Sequence, residues 1–282
     1  MKKYFNIILK FIKLLLIFVS FLCALSGCFH FTQFVRNTHP CEVEKNFREN
    51  SFSFIEVDLN KYHIRFFWKD QNGEYFHTFE NVEKWIKRKG ESIIAITNGG
   101  IYEPDYSPTG LYIEKGTLKS PLNLNEGDGN FFLKPNGIFL ITENRAKIIE
   151  SLYFNPEKIS MIEYAQQSGP LLVLNNKIHP VFKKNSHHRK LRSGIGVNEN
   201  KKVYIAISNC AVTFYEFATF FKEDLKCPNA LYLDGTISRL YAPLINKFES
   251  NYGNYAVMIG VTARYPISPS HRASVEMHTT TR

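Results

Sequence analysis

Asp234 is the residue whose type and surroundings most clearly suggest chemistry. It follows the apolar run at residues 230–233 and precedes Gly235 and Ser238. The apolar run predicts a buried strand, which would hold the carboxylate rigidly at the edge of a sheet. Gly235 allows the chain to turn sharply immediately afterwards. The pattern therefore indicates either a catalytic acid or base beside a cleft or an ordinary Asp-Gly turn of a hairpin.

Three more predicted strands carry small and polar residues at their ends. They are marked by Asn98-Gly99-Gly100, by Gly169-Pro170-Leu171-Leu172 and by Arg192-Ser193-Gly194-Ile195-Gly196. Loops at strand ends commonly build the pocket of a sheet protein. Asn98, Gly169, Arg192 and Asp234 are therefore expected to meet in one cleft, although they are far apart in the sequence.

These motifs, in this order, resemble those of the phosphodiester glycosidase family. The resemblance covers roughly residues 52–262 and is nearer to an uncharacterised bacterial branch, with Gly129-Asn130-Phe131-Phe132-Leu133. It implies a hydrolase that cleaves a sugar from a phosphate-linked (phosphodiester) glycoconjugate of the cell envelope. The alternative is a noncatalytic envelope protein that binds anionic glycans in the same cleft.

The resemblance implies a role for each candidate residue. Asp234 would be the acid or base, Arg192 would bind two phosphate oxygens at once, and Asn98 would contact sugar hydroxyls or orient Asp234. Glu103 and Asp105 are candidates for a second carboxylate, which glycoside hydrolysis commonly uses. Small residues that can approach a phosphate complete the substrate-binding set. They are Gly99, Gly100, Gly169, Ser193, Gly196, Gly235 and Ser238.

Each of these residues also has an ordinary structural interpretation. An arginine at this position suits a structural ion pair, and Asn98 before two glycines suits a tight turn. The charged loop around His187 and His188 is interpreted as solvated. The sequence shows no spacing typical of metal ligands, so neither a metal nor a cofactor is expected.

The first 27 residues are predicted to be a targeting leader. Four lysines precede the apolar run at residues 14–25, and Leu25-Ser26-Gly27-Cys28 matches a bacterial lipobox. A lipoprotein signal with lipidation at Cys28, an ordinary secretory signal and an uncut anchor are the alternatives. The run is short for a spanning helix. The expected location is the cell envelope, with a lipid anchor on a membrane facing the periplasm or the exterior.

The rest of the chain is predicted to form one domain. The net charge of +9 includes the four leader lysines, and no basic stripe indicates a nucleic-acid partner. Residues 28–51 are assigned to a linker, 52–264 to the domain and 265–282 to a disordered tail. Strands dominate in an irregular order, which favours an α+β fold with mixed β-sheets and few covering helices.

Local patterns predict several particular elements. Helices are expected at residues 81–89 and 214–225, and hairpins are expected to join 53–58 to 63–68 and 130–133 to 137–142. Cys210 and Cys227 flank the second helix and are either a disulfide or two free thiols.

Overall fold

The computed structural model describes residues 51–143, 145–243, 247–248, 253–263 and 277–281. The strands of these residues are β1 (Ser51–Val57), β2 (Tyr62–Phe67), β3 (Ile93–Asn98), β4 (Tyr112–Glu114), β5 (Thr117–Ser120), β6 (Gly137–Thr142), β7 (Arg145–Glu150), β8 (Tyr164–Ser168), β9 (Leu171–Leu174), β10 (Lys177–Ile178), β11 (Ser193–Val197), β12 (Val203–Ser208), β13 (Asn229–Tyr232), β14 (Leu240–Ala242), β15 (Lys247–Phe248), β16 (Met258–Ala263) and β17 (Met277–Thr281). The helices are α1 (Phe79–Arg88) and α2 (Phe214–Thr219), which continues as a π-helix (Phe220–Asp224), together with three short 3-10 helices (Asn130–Phe132, Ser151–Tyr153 and Pro156–Met161).

The strands form three sheets. The largest has seven strands in the order β10-β9-β13-β11-β12-β1-β17, and two five-stranded sheets have the orders β15-β14-β3-β16-β2 and β5-β4-β8-β6-β7. Neighbouring strands in the described ladders are antiparallel. The prediction of one α+β domain with few helices is confirmed to this extent: the described residues are mostly sheet.

One apolar core joins the three sheets. It includes Ile195 and Leu231 from the seven-stranded sheet, Phe66 and Ile259 from the second sheet and Phe139 from the third. Side chains of a strand alternate between its two faces, so residues next to these in sequence point the other way. This shared core holds the ends of β3, β8, β11 and β13 in fixed positions relative to one another.

The helix predicted over residues 214–225 covers the outer face of the seven-stranded sheet. Its first part is α2, which begins with a capping box between Thr213 and Glu216, and its second part is the π-helix. Phe217 and Phe221 are fully buried against the sheet. The short distance between helix and sheet is made possible by glycines in β11.

Gly196 is one of these glycines, and its position explains why a larger residue is excluded. A Cβ atom at this position would lie 2.7 Å from the Phe221 ring and 2.8 Å from Cys227 Sγ. We expect Gly196→Ala to lower the free energy of unfolding by about 1–3 kcal/mol, because overpacking displaces the ring. Chemical denaturation measures this loss.

A second-site variant tests the packing interpretation. Adding Phe221→Leu to Gly196→Ala should restore part of the lost stability, since the smaller side chain makes room for the methyl group. A double variant that is no more stable than Gly196→Ala would contradict the packing interpretation.

Cys210 and Cys227 are free thiols in the structure. Cys227 is fully buried beneath β11, and burial raises the pKa of its thiol well above the usual value. The structure therefore shows two free thiols rather than a disulfide between Cys210 and Cys227.

Both predicted hairpins are wrong, although most of their strands exist. β1 pairs with β12 and β17, whereas β2 pairs with β16 in another sheet. Residues 130–132 form a 3-10 helix, and β6 forms its hairpin with β7 instead. Local turn residues indicated where strands end, but long-range packing of their apolar faces chose the partners. Helix α1 likewise begins earlier than predicted, with Thr78 rather than Asn81 as its N-cap.

The predicted disordered tail is also wrong for part of its length. Residues 277–281 form β17, which pairs with β1. The edge of β1 would otherwise leave backbone groups without partners, and a threonine-rich segment favours the extended conformation. The leader with Cys28, the linker, Cys41 and residues 264–276 lie outside the described residues. Within the described part, no helix is long and apolar enough to cross a membrane.

Candidate functional site

A buried hydrogen-bond network joins three of the predicted strand ends. Asn98 closes β3 and is fully buried, and its Nδ2 donates to Ser193 Oγ over 2.9 Å. Ser193 begins β11, and its hydroxyl donates to the Asp234 carbonyl oxygen over 2.8 Å. Ser238 Oγ donates to the same oxygen, and Asn98 Oδ1 accepts from the Arg239 backbone N–H over 3.2 Å. The structure thus brings Asn98, Ser193, Asp234 and Ser238 together.

The network fixes the backbone of Asp234 and leaves its carboxylate available. Oδ1 accepts a hydrogen bond of 2.8 Å from the Thr236 backbone N–H, and the side chain is partly buried. Burial raises the pKa of the Asp234 carboxyl, while the backbone N–H groups of Thr236, Gly235 and Ile237 act in the opposite direction. A raised pKa brings a carboxylate nearer to the range in which it exchanges protons efficiently at neutral pH. Arg192 is not among the groups that shift it.

Two tyrosines interact electrostatically with the Asp234 carboxylate. Burial and then the charge of Asp234 raise the pKa of Tyr102. Burial also raises the pKa of Tyr232, which the Arg192 charge lowers and the Asp234 charge raises. The Tyr232 hydroxyl lies against Gly235, the residue after Asp234. Sequence reasoning assigned neither tyrosine a role, although Tyr232 precedes Asp234 by two positions.

Arg192 lies beside Tyr232, with its guanidinium carbon 5.7 Å from the centre of the Tyr232 ring. Its side chain is buried, with Nε donating to the Val212 carbonyl oxygen over 2.9 Å and Nη2 to the His188 carbonyl oxygen over 3.2 Å. The guanidinium carbon lies 3.6 Å from the centre of the Phe214 ring. Burial lowers the pKa of Arg192. In the part of the chain that the structure describes, Arg192 makes no ion pair, which removes the structural ion pair as an explanation for it.

Arg192 borders a cavity of about 950 Å³ that has a cationic wall. The wall includes Lys183, Lys190, His187 and His188, and its described lining contains neither Asp nor Glu. Gly235 and Thr236 lie at the same cavity and connect it to the Asp234 turn. The loop with His187 and His188 is exposed, as the sequence indicated, and it also lines this cavity. Nothing local in its sequence indicates that it borders a cavity.

The glycines of the predicted set have different surroundings. Gly99 donates its backbone N–H to the Val257 carbonyl oxygen over 2.7 Å, so that group is already used within the protein. Gly100 approaches Ser168, and Gly169 packs against the backbone of residues 130–131. Gly235 lies so close to the Tyr232 hydroxyl that a side chain would collide with it. Gly196 lies on the helix-covered face of the sheet and is not brought to the cluster.

Glu103 and Asp105, the predicted second carboxylates, take no part in the described hydrogen bonds around Asp234. Glu103 and Asp105 are exposed, and the Asp105 carboxylate accepts hydrogen bonds from the Ser107 backbone N–H and hydroxyl over 2.9 and 2.6 Å. These bonds lower the pKa of Asp105. Its function is to cap its own loop. Among the described residues, no group of three His, Cys, Asp or Glu side chains is arranged to hold a metal ion.

Comparisons with known proteins agree on the fold and the family. The phosphodiester glycosidase profile matches residues 91–262. The uncharacterised protein YigE of Escherichia coli K12 is 39% identical over 178 residues, which are 63% of this chain and 69% of that protein. The fold is similar to that of the zebrafish N-acetylglucosamine-1-phosphodiester alpha-N-acetylglucosaminidase catalytic domain, auto-inhibited by its pro-peptide. The two chains are 13% identical, and the TM-score is 0.51 over 79% of this chain and 86% of the zebrafish chain.

A hypothetical protein from Synechocystis is also similar, with 13% identity and a TM-score of 0.49 over 76% of this chain. The match spans 59% of the Synechocystis chain, which is less than two thirds of its length. The profile match covers most of the described domain and includes Asn98, Arg192 and Asp234. The chain therefore belongs to the phosphodiester glycosidase family.

Proposed function

We propose that the protein hydrolyses the bond between a sugar and a phosphate in a phosphodiester glycoconjugate. The observation that carries the proposal is the single half-buried carboxylate of Asp234 next to a cationic cavity without acidic residues. The phosphate binds at the Arg192 end of this cavity, where Lys183 and Lys190 offset its charge. Asp234 then lies at the junction between phosphate and sugar, beside Tyr102 and Tyr232.

One carboxylate is sufficient for this reaction. Ordinary glycosidases use a second carboxyl group to protonate a poor leaving group. A departing phosphate ester is already weakly basic, with a second pKa of about 6, so it needs little protonation. Asp234 acts as the general base that takes a proton from the attacking water, while Arg192 stabilises charge on the phosphate.

A turnover assay on the full-length protein tests the proposal. The substrates are sugar phosphodiesters that differ in sugar and anomeric configuration, together with the matching simple glycosides that lack phosphate. We expect release of free sugar from at least one phosphodiester and none from its phosphate-free counterpart. Saturable binding of a phosphodiester without turnover would favour the noncatalytic glycan-binding alternative.

We further propose that the protein acts in the cell envelope as a lipoprotein. The support is the sequence of the leader, where the lipobox places Cys28 after a basic and apolar segment. Acylation at Cys28 would hold the domain at a membrane surface, close to phosphate-linked envelope glycans.

Replacing Cys28 by serine tests the anchor. We expect Cys28→Ser to move most of the protein out of the membrane fraction, because the thiol that carries the lipid is lost. Fractionation and mass spectrometry of the processed N-terminus measure the change, with Cys23→Ser as the matched control. If Cys28→Ser is processed and retained like the wild type, the lipid anchor at Cys28 is excluded.

A further inference from the structure

Four partly exposed aromatic side chains, those of Tyr102, Tyr106, Tyr75 and Trp68, lie one after another. The ring centres of Tyr102 and Tyr106 are 5.8 Å apart and nearly parallel. Tyr106 lies 5.9 Å from Tyr75, and Tyr75 lies 6.1 Å from Trp68. We call these four residues the aromatic track. Its first ring, Tyr102, comes shortly after Gly100, which lies against Ser168. The Ser168 hydroxyl donates to the carbonyl oxygen of Leu233, the neighbour of Asp234, over 3.0 Å.

The aromatic track is held in place by hydrogen bonds between the segments that carry it. Trp68 Nε1 donates to the Tyr106 carbonyl oxygen over 2.8 Å, and the Tyr75 hydroxyl donates to the Asp105 carbonyl oxygen over 3.1 Å. Tyr106 has a φ of 64°, in the left-handed region that non-glycine residues seldom adopt. Such backbone strain persists only where the surrounding structure enforces it, and it is concentrated at binding sites.

The far end of the aromatic track opens into a second cavity, of about 540 Å³. We call it the lysine pocket, because Lys69, Lys89, Lys115 and Lys119 line it. Its acidic lining residues are Asp70 and Glu114, so lysines outnumber acids.

Aromatic rings extend the track into the lysine pocket. Lys69 Nζ lies 4.3 Å from the centre of the Tyr75 ring, and Lys89 Nζ lies 4.1 Å from the centre of the Trp85 ring. The pocket therefore combines ammonium groups with aromatic faces. These are the groups that bind a sugar carrying a negative charge.

We propose that the substrate is a polymeric anionic glycan, whose chain lies along the aromatic track and whose acidic groups bind in the lysine pocket. The rings offer apolar faces to the sugars and hydroxyls to their edges. The lysines bind charges that recur along the chain, at a distance from the bond that is cleaved. The proposal rests on the proposed function for the cleavage step, but the binding surface exists independently of it. The substrate thus contacts the aromatic track and the lysine pocket in addition to the cavity at Arg192.

Removing two lysines tests the lysine pocket. The probes are a fluorescent poly(N-acetylglucosamine 1-phosphate) and a short phosphodiester of the same sugar. For Lys89→Gln combined with Lys119→Gln, we expect the preference for polymer over short substrate, as a ratio of kcat/KM values, to fall about tenfold. The matched control is Lys147→Gln with Lys158→Gln, which removes the same charge from exposed positions outside the pocket. It should leave the ratio unchanged.

A pair of variants at Tyr75 tests the aromatic track. Tyr75→Ala removes the central ring and should weaken polymer binding about fivefold, whereas Tyr75→Phe retains the ring and should bind almost as well as wild type. Polymer affinity is measured in an Asp234→Asn background, so that cleavage does not interfere. A purely structural Tyr75 would instead change the melting temperature and affect short and long substrates equally, and that result would overturn the proposal.

Failure of this proposal and failure of the proposed function give different results. Cleavage of the short phosphodiester without any preference for the polymer would exclude the aromatic track and leave the hydrolase intact. Polymer binding that depends on Lys89, Lys119 and Tyr75, with no cleavage of either probe, would exclude the hydrolase and retain the binding surface. Equal loss of polymer binding in the control Lys147→Gln with Lys158→Gln would show nonspecific charge attraction and reject the lysine pocket.

Discussion

Asp234→Asn is expected to lower kcat for a sugar phosphodiester by a factor of about 10² or more. Asparagine retains the shape and one hydrogen-bond acceptor for the Thr236 N–H, but it has no proton-accepting carboxylate. The loss should appear in kcat rather than in KM, because the proposed phosphate site lies at Arg192 rather than at the Asp234 carboxylate. Steady-state kinetics on the best substrate of the panel measures it. Full activity of Asp234→Asn would exclude the catalytic role.

The same variant should not be less stable than the wild type near neutral pH. Burial raises the pKa of Asp234 above its ordinary value of 3.8, so the folded state holds the proton more tightly than the unfolded state. The stabilisation of the folded state by this bound proton is fully present below pH 3.8. It is lost as the pH rises through the raised pKa of Asp234. Asn carries no charge, so Asp234→Asn should gain most in melting temperature at neutral pH and least in acid. A large drop in the melting temperature of Asp234→Asn at neutral pH would mean that its lost activity reflects unfolding.

The core of the candidate site was predictable because its signals are local. An apolar run followed by Asn98-Gly99-Gly100, or by Asp234-Gly235, identifies a strand and its polar end from adjacent residues alone. The meeting of Asn98, Ser193 and Asp234 follows once those strands share a core. Tyr232 was open to the same reasoning, since alternation in a strand places it on the face of Asp234.

Other parts of the site depend on contacts between distant segments. The loop with Lys183 and His187 has the composition of a solvated surface, and only the tertiary fold places it against Arg192. The aromatic track joins Trp68 and Tyr75 to Tyr102 and Tyr106 across about thirty positions. The hairpin prediction for β1 and β2 failed for the same reason, because partner choice is decided by packing over the whole sheet.

Arg192→Lys is expected to raise KM for a sugar phosphodiester about tenfold while changing kcat less. Lysine keeps the positive charge but loses the planar pair of N–H donors that matches two phosphate oxygens. A hydrogen bond to a charged group contributes about 1.5–3 kcal/mol, and one such bond corresponds to a tenfold or larger change in affinity. Initial-rate measurements at several substrate concentrations separate KM from kcat.

The stability of Arg192→Lys must be measured alongside its kinetics. The arginine Nε donates a hydrogen bond to the Val212 carbonyl oxygen. Lysine has no donor at this position, so the buried carbonyl oxygen loses its partner, which lowers the free energy of unfolding by about 1–3 kcal/mol. Arg189→Lys is the matched control, because Arg189 bonds the Ala211 carbonyl oxygen nearby but is not part of the cavity lining. A raised KM in both variants would point to a general loosening of this loop.

The salt dependence of binding separates the two roles that Arg192 could have. If the guanidinium contacts phosphate, the KM of the wild type rises with ionic strength, and the difference between wild type and Arg192→Lys persists at high salt because geometry rather than net charge is lost. If Arg192 only supports the fold through Val212 and His188, both variants should respond to salt in the same way as wild type, with KM following stability. An unchanged KM in a well-folded Arg192→Lys would place the phosphate elsewhere in the cationic cavity, at Lys183 or Lys190.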